Sequence, residues 1–214
     1  MVTALTVNYN TPRLLESLLS SFRRFYDIPF MVVDGSDNEN YKRMSKFDSQ
    51  YNISIHHFNY NIHHGPGIAY GIRTITTDQI LLIDSDVRIL RGGFIEDLQS
   101  KLLPTSYGIG SISNINKDGI SIPNNGIKYL HPALALINRV IALQFPLPTK
   151  HGAPMFEPME MIRNKRKQHL LQHEAWIDED LVHSFYDRIN TINRHYIVHE
   201  WSGTVSRTGG IHLC

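Results

Sequence analysis

Cysteine is almost missing from this chain. One occurs in 214 residues, Cys214 at the last position, so no internal disulfide can form and neither a thiolate nucleophile nor a cysteine metal site is available to the core. Long apolar runs are missing too. None approaches the roughly 20 residues a helix needs to cross a bilayer, so no membrane span is expected. Charge of one sign is absent as well: 21 Lys and Arg stand against 20 Asp and Glu, a net charge of +1, which gives no electrostatic footprint for nucleic acid. Arg163-Asn164-Lys165-Arg166-Lys167 is a local exception, read as a solvated helix face that suits an acidic acceptor or partner better than DNA. No basic segment precedes the apolar start Met1-Val2-Thr3-Ala4-Leu5-Thr6-Val7. That argues against a secretory signal and, with the scarcity of cysteine, makes the cytoplasm the expected location.

What the sequence does contain is globular: 42% hydrophobic and 19% charged residues, enough for one substantial core in one domain over residues 1–214. Strand-like apolar segments at 4–7, 30–33, 53–58 and 80–83 alternate with helix-period segments at 14–25, 41–50, 68–74 and 94–103. Strands alternating with helices predict an α/β fold, a mostly parallel central sheet with helices on both faces and right-handed crossovers. Past Pro104 the pattern changes. Segments 107–113 and 119–122 flank the hairpin signal Asn116-Lys117-Asp118-Gly119, so mixed strands are expected in the C-terminal half. Pro146, Pro148, Gly152, Pro154 and Pro158 mark an irregular, cleft-lining loop at 146–160. Helices at 159–172 and 179–192 and a strand at 196–199 follow, then a weakly patterned tail at 202–214, as in a domain cut from a longer protein.

The apolar run Ile80-Leu81-Leu82-Ile83 ends in Asp84-Ser85-Asp86. Two carboxylates one residue apart then sit at the carboxyl end of a buried strand, where open α/β sheets bind their ligands. Such hard oxygen donors suit Mg²⁺ or Mn²⁺, which complete their shells with phosphate oxygens and water. Asp and Ser are also ordinary turn residues, so the context decides. Three more strand ends carry unusual polar residues, at 8–11, 34–37 and 61–71.

Taken in order, these pieces resemble the GT-A fold glycosyltransferases, close to the large family 2 pattern. The resemblance rests on Leu5-Thr6-Val7-Asn8-Tyr9-Asn10, Val32-Val33-Asp34-Gly35-Ser36-Asp37, Asn61 with Gly65-Pro66-Gly67 and Gly71, Leu82-Ile83-Asp84-Ser85-Asp86, Asp178-Glu179-Asp180-Leu181 and His199. It covers nearly the whole chain. It implies a Rossmann-like sheet, with residues 1–103 as the nucleotide-sugar-binding half and 104–214 as the acceptor-side half. It also implies a UDP-sugar donor, a glycan or glycoprotein acceptor, transfer of a hexosyl or deoxyhexosyl unit to a hydroxyl, and further domains of the same polypeptide as partners.

By the same resemblance, Asn8 and Tyr9 sit near the nucleoside and Asp34 accepts a hydrogen bond from uracil N3. A carboxylate can read one base edge, and an aromatic ring offers a stacking face. Asn61, His64 and Gly65 bring backbone close to the nucleotide, since glycine permits short approach. Where the family carries Asn and Arg this chain has Ala69 and Tyr70, which leaves Arg73 as the substitute contact. Asp84 and Ser85 face the ribose or a metal-bound water, Asp86 binds the cation, and Asp84 and His199 complete the ligand set, an imidazole favouring Mn²⁺ over Mg²⁺. Asp178 and Asp180 are the candidate catalytic carboxylates, Asp178 first, as the general base for the acceptor hydroxyl. The family's preceding acidic residue is Ile177 here, so inverting and retaining courses both stay open. Trp176 and Trp201 are candidate sugar platforms or core residues.

Two other classes stay open. A sugar-phosphate nucleotidyltransferase needs the same pocket and carboxylates, but its phosphate loop carries glycine and lysine, and residues 8–12 contain neither. A non-catalytic nucleotide-sugar or glycan-binding module is the other; loss of the acidic pair would mark it, and both Asp84 and Asp86 are present.

Overall fold

The structure, a computed structural model, describes residues 1–186 and 196–199. The first half runs β1 (Val2–Asn8), α1 (Pro12–Arg23), β2 (Phe30–Asp34), α2 (Asn38–Arg43), α3 (Phe47–Tyr51), β3 (Ser54–His57), α4 (His64–Thr74), β4 (Gln79–Ile83), β5 (Val87–Ile89) and α5 (Phe94–Lys101). The second half runs β6 (Gly108–Ile115), β7 (Ile127–Asn138), α6 (Arg139–Ala142), α7 (Phe156–Asn164), a short 3₁₀ turn (Gln168–Leu170), β8 (Leu171–His173), α8 (Ala175–Tyr186) and β9 (Ile197–His199).

Seven strands form one sheet in the order β3-β2-β1-β4-β7-β6-β8, and β5 pairs with β9 in a separate ribbon. The first four strands are parallel. The sheet turns mixed at β7, which is antiparallel to β4 and β6, while β8 is parallel to β6. This is the α/β architecture expected from the alternating segments.

Each apolar strand buries both faces. Ala4, Val32, Leu81, Ile83, Leu134 and Leu136 point to one side, where they pack with α1, α5 and α8 through Leu15, Leu18, Phe22, Phe94, Leu98 and Ile177. Their neighbours Leu5, Met31, Val33, Ile80, Leu82, Ala135 and Ile137 point to the other, under Ile68 and Ile72 of α4 and Phe156, Met159 and Ile162 of α7. Side chains alternate along a strand, and burial of each large apolar group is worth about 1.5–3 kcal/mol, so a one-residue slip would be costly on both faces at once.

The structure departs from the sequence expectation in four places. The helix expected at 41–50 is two short ones, because Met44 drops fully buried into the core between them. The hairpin turn at Asn116 forms, with Gly119 at φ 82°, but segment 119–122 makes only the bridge Ile115↔Ser121 and the returning strand is β7. The helix expected at 159–172 begins earlier and ends at Asn164. Arg166 adopts φ 54°, and the chain then enters β8. The last helix begins at Ala175, ahead of the expected 179; residues 187–192 and 202–214 lie outside the described residues.

One irregularity in the sheet places a site residue. Pairing passes from Gly110↔Ala135 to Ile112↔Leu130, so His131-Pro132-Ala133-Leu134 bulge out opposite Ser111 alone. Proline, lacking an N–H, is tolerated at such a bulge. No helix among the described residues is long and apolar enough to cross a membrane.

Candidate active site

The carboxyl ends of the parallel strands β1 to β4 open on one edge of the sheet, and the start of β7 and the end of β8 join them there. Asp84 follows β4 directly, and its N–H donates to Ala133 O at 3.1 Å. Val87 N donates back to Asp84 O at 3.1 Å, so the Asp-Ser-Asp segment is a tight turn leading into β5. Because Val87 pairs with His199 across the β5–β9 ribbon, the histidine sits beside Asp86: His199 Nε2 lies 3.0 Å from Asp86 Oδ1 and 3.7 Å from Asp84 Oδ2. A residue 113 positions away in sequence thus completes the pair.

One ligand atom each from Asp84, Asp86 and His199 lies within 4.8 Å of the others. Burial lowers the His199 pKa, but the hydrogen bond and charge of Asp86, with Asp84 behind it, outweigh that and raise it above the usual histidine value. Burial pushes Asp84 up, and His64, whose Nε2 is 3.3 Å from Asp84 Oδ1, with His199 and His131, more than offsets this and lowers it. Two buried or half-buried carboxylates, charge-compensated by imidazoles and joined by one imidazole donor, form a set that could hold a divalent cation, which would take the place of the proton on His199.

Asn8 and Asp34 stand at the predicted strand ends, but they face inward. The Asp34 side chain is 0% exposed. Its Oδ1 accepts from Asn8 Nδ2 at 2.7 Å and Ser36 Oγ at 2.6 Å, and its Oδ2 is 2.8 Å from His57 Nδ1. Tyr41 stacks on His57 with centroids 3.7 Å apart, closing the network from outside. In this structure the Asp34 carboxylate ties the ends of β1, β2 and β3 together. Tyr9 and Asn10, half-buried in the loop after β1, are the groups left open beside it. Ser36, His57 and Tyr41 were not anticipated; His57 ends β3 at the ligand-binding edge.

The glycine signal at α4 is a close approach to protein. A Cβ on Gly65 would stand 2.3 Å from Lys150 O, and Gly65 N donates to that oxygen at 3.0 Å, so the helix start clamps the proline-rich loop. Asn61 Oδ1 accepts from His63 N at 3.0 Å and fixes the turn before the helix. The His63 and His151 rings lie 5.4 Å apart, a second contact between the start of α4 and the loop. Arg73 is not brought to the site. It is exposed near the far end of α4, nine residues beyond His64 and hence about 13 Å along the axis at 1.5 Å per residue.

Asp178 and Asp180 separate clearly. Asp178, in the first turn of α8, is 40% exposed with Oδ2 3.3 Å from His173 Nε2. Asp180 is 3% exposed, and its Oδ2 accepts from Tyr196 N at 2.7 Å and Ile197 N at 3.0 Å, holding the start of the strand that ends in His199. Ser85 is buried within its turn. Trp176 packs against Phe94 and Tyr196 and donates Nε1–H to Asp97 Oδ2 at 3.0 Å, a core position; Trp201 lies outside the described residues. His131, which the sequence did not single out, joins the site from β7: its Nε2 is 2.8 Å from Ser113 Oγ. Burial lowers its pKa, while Asp178 and Asp84 act in the opposite sense.

No protein-family model matches the chain, and no curated protein matches it in sequence. Solved structures do match in shape. The mannosyltransferase PcManGT from Pyrobaculum calidifontis, solved with GDP-Man and Mn²⁺, superimposes with a TM-score of 0.58 at 14% identity over 81% of this chain and 56% of its own. Mouse xyloside xylosyltransferase 1, without ligand, gives 0.56 at 10% identity over 95% and 99%. The fold is GT-A. A third GT-A structure, Staphylococcus aureus TarS residues 1–349 with UDP-GlcNAc, gives 0.51 at 16% identity over 73% of this chain and 52% of that one. The chain spans about half the length of PcManGT and of this TarS structure.

Proposed function

We propose that the chain is a metal-dependent glycosyltransferase that moves a hexosyl or deoxyhexosyl unit from a UDP-sugar to a hydroxyl of a glycan or glycoprotein. The observation that carries the reading is the convergence of Asp84, Asp86 and His199 at the carboxyl edge of a GT-A sheet. When bound, the divalent ion, Mn²⁺ in preference to Mg²⁺, neutralises charge on the diphosphate as it leaves. Asp86 and His199 would hold it with Asp84, and His64 would orient Asp84 through their 3.3 Å contact. Asp178, accessible and beside His173, takes the proton of the acceptor hydroxyl while its oxygen bonds to the anomeric carbon. The bond from that carbon to the phosphate oxygen breaks with the electron pair going to the diphosphate. A base placed for the acceptor suits a single displacement. Uridine is supported by the sequence resemblance, and Asn8, Tyr9 and Asp34, at the ends of β1 and β2, are the side chains assigned to the nucleoside.

The test is calorimetric titration with UDP-glucose, UDP-galactose, UDP-N-acetylglucosamine and GDP-mannose, each with and without Mn²⁺, followed by a hydrolysis assay on any binder. Mn²⁺-dependent binding of a UDP-sugar with slow hydrolysis is expected, and Asp86→Ala should abolish the metal-dependent part while leaving the fold intact. Unchanged Mn²⁺-dependent affinity in that variant removes the metal assignment. Tight binding that never leads to turnover, even with acceptors supplied, makes the chain a binding module instead.

A further inference from the structure

His131 reaches the cleft because the sheet is distorted to bring it there. The bulge opposes residues 131–134 to Ser111 alone, and bulges of this kind re-aim side chains beside functional sites. Two neighbours then fix the ring: Ser113 Oγ at 2.8 Å from Nε2, and the Tyr129 ring edge-on with centroids 4.9 Å apart. The same bulge holds the metal-binding turn, since Ala133 O accepts the Asp84 N–H. His131 is therefore coupled in position to the carboxylates, and it lies within the field of both Asp84 and Asp178.

Those two carboxylates bracket the reaction proposed above. The diphosphate belongs at Asp84 and the acceptor hydroxyl at Asp178, so the sugar in transit occupies the space between them. His131, on the bulge that holds the Asp84 turn, lies within the field of both. Its Nδ1 has no hydrogen-bond partner among the described residues. A neutral imidazole both donates and accepts, as a sugar hydroxyl does, whereas a phosphate would call for a cation. Burial, which favours the neutral form here, agrees with a hydroxyl partner. We infer that His131 reads the transferred sugar, its free ring nitrogen hydrogen-bonding a hydroxyl of the hexosyl unit and so setting which donor is accepted. This rests on the glycosyltransferase reading.

The experiment compares UDP alone with UDP-glucose, UDP-galactose and UDP-N-acetylglucosamine, in Mn²⁺, for the wild type, His131→Ala and His131→Gln. The wild type should separate the three sugars by tenfold or more in affinity, about 1.4 kcal/mol, and His131→Ala should compress that spread to within about twofold while UDP affinity stays within about twofold, as loss of one hydrogen bond to the sugar requires. His131→Gln, which keeps a donor and an acceptor, should restore part of the spread and guards against misfolding of the alanine variant, checked by its melting temperature. An undiminished spread in both variants overturns the inference, as does an equal fall in UDP and UDP-sugar affinity, which marks a purely structural histidine. If the wild type shows no Mn²⁺-dependent UDP binding, the glycosyltransferase reading fails first and takes the sugar assignment with it.

Discussion

Asp178 and Asp180 stand two residues apart in one acidic segment, and burial gives them different work. Asp178 keeps an exposed carboxylate over the cleft, while Asp180 spends an oxygen on two backbone N–H groups of the chain entering β9. The spacing of the segment was legible, but the division was not, since it depends on a strand some fifteen positions later folding back over the helix. Asp178→Asn should leave donor affinity within about twofold and lower transfer by about 10²-fold or more, the usual contribution of a general base. Asp180→Ala should instead lower the melting temperature and weaken Mn²⁺ binding through His199, because it leaves the buried Ile197 N–H without its acceptor at about 1–3 kcal/mol and frees the part-buried Tyr196 N–H as well. Donor titration, transfer rate and thermal melts on both variants check this, and normal turnover in Asp178→Asn removes it as base. Asp34 teaches the same lesson in reverse. Its place at a strand end was readable, and its enclosure by Asn8, Ser36 and His57 was not, because single polar residues carry no periodicity that announces a tertiary partner.

At the scale of elements, strands β1, β2 and β4 were legible because each is a nearly unbroken apolar run buried on both faces. β7 and β8 were not. His131-Pro132 interrupts the pattern of β7 at its bulge, and β8 is a three-residue edge strand, Leu171–His173, in a polar stretch, too short to have a period. The grouping of Asp84, Asp86 and His199 was anticipated through the order of the motifs rather than through local pattern, while His131 sits in a bulge that no sequence rule marks. The junction between α4 and the proline-rich loop shows what a glycine can mean when its context is hidden. Any side chain at position 65 must displace the backbone at Lys150, 2.3 Å from the added carbon, a neighbour that cannot rotate away as a side chain would. Gly65→Ala should therefore cost about 1–3 kcal/mol of stability, the usual cost of overpacking. It should also speed tryptic cleavage after Lys150 as the loop detaches, and weaken donor binding, because His64 beside the clamp orients Asp84. Proteolysis at unchanged rate would mean that the loop is held by other contacts, such as Lys150 Nζ over the Phe156 ring at 3.6 Å.

At the scale of the molecule, the sheet carries a core on each face, and each core encloses tyrosine hydroxyls. Tyr26, on the α1–α5 side, accepts the Phe94 N–H at 3.0 Å, and burial pushes its pKa up to about 12. On the other side burial raises Tyr107 and Tyr129 further. A group whose folded pKa is raised contributes stability that is fully present below its unfolded value and lost as pH rises through the folded one, so the alkaline limit is set from both faces at once, beginning near the ordinary tyrosine pKa of about 10. The three are not equivalent at neutral pH. Tyr129 OH accepts the Met155 N–H at 3.3 Å, whereas Tyr107 OH is buried with no partner among the described residues, a desolvated polar atom that returns nothing for its burial. Tyr107→Phe should therefore raise the melting temperature at neutral pH, by the equivalent of about 1 kcal/mol, and its advantage over the wild type should widen above about pH 10, where the wild-type unfolded state gains from ionising that phenol. Tyr129→Phe should flatten the alkaline slope in the same way but lose stability at neutral pH, because it strips the Met155 N–H of its acceptor. Thermal melts of the two variants and the wild type from neutral to alkaline pH decide it, and a Tyr107→Phe curve parallel to the wild type throughout would show that this phenol reaches solvent before the fold opens.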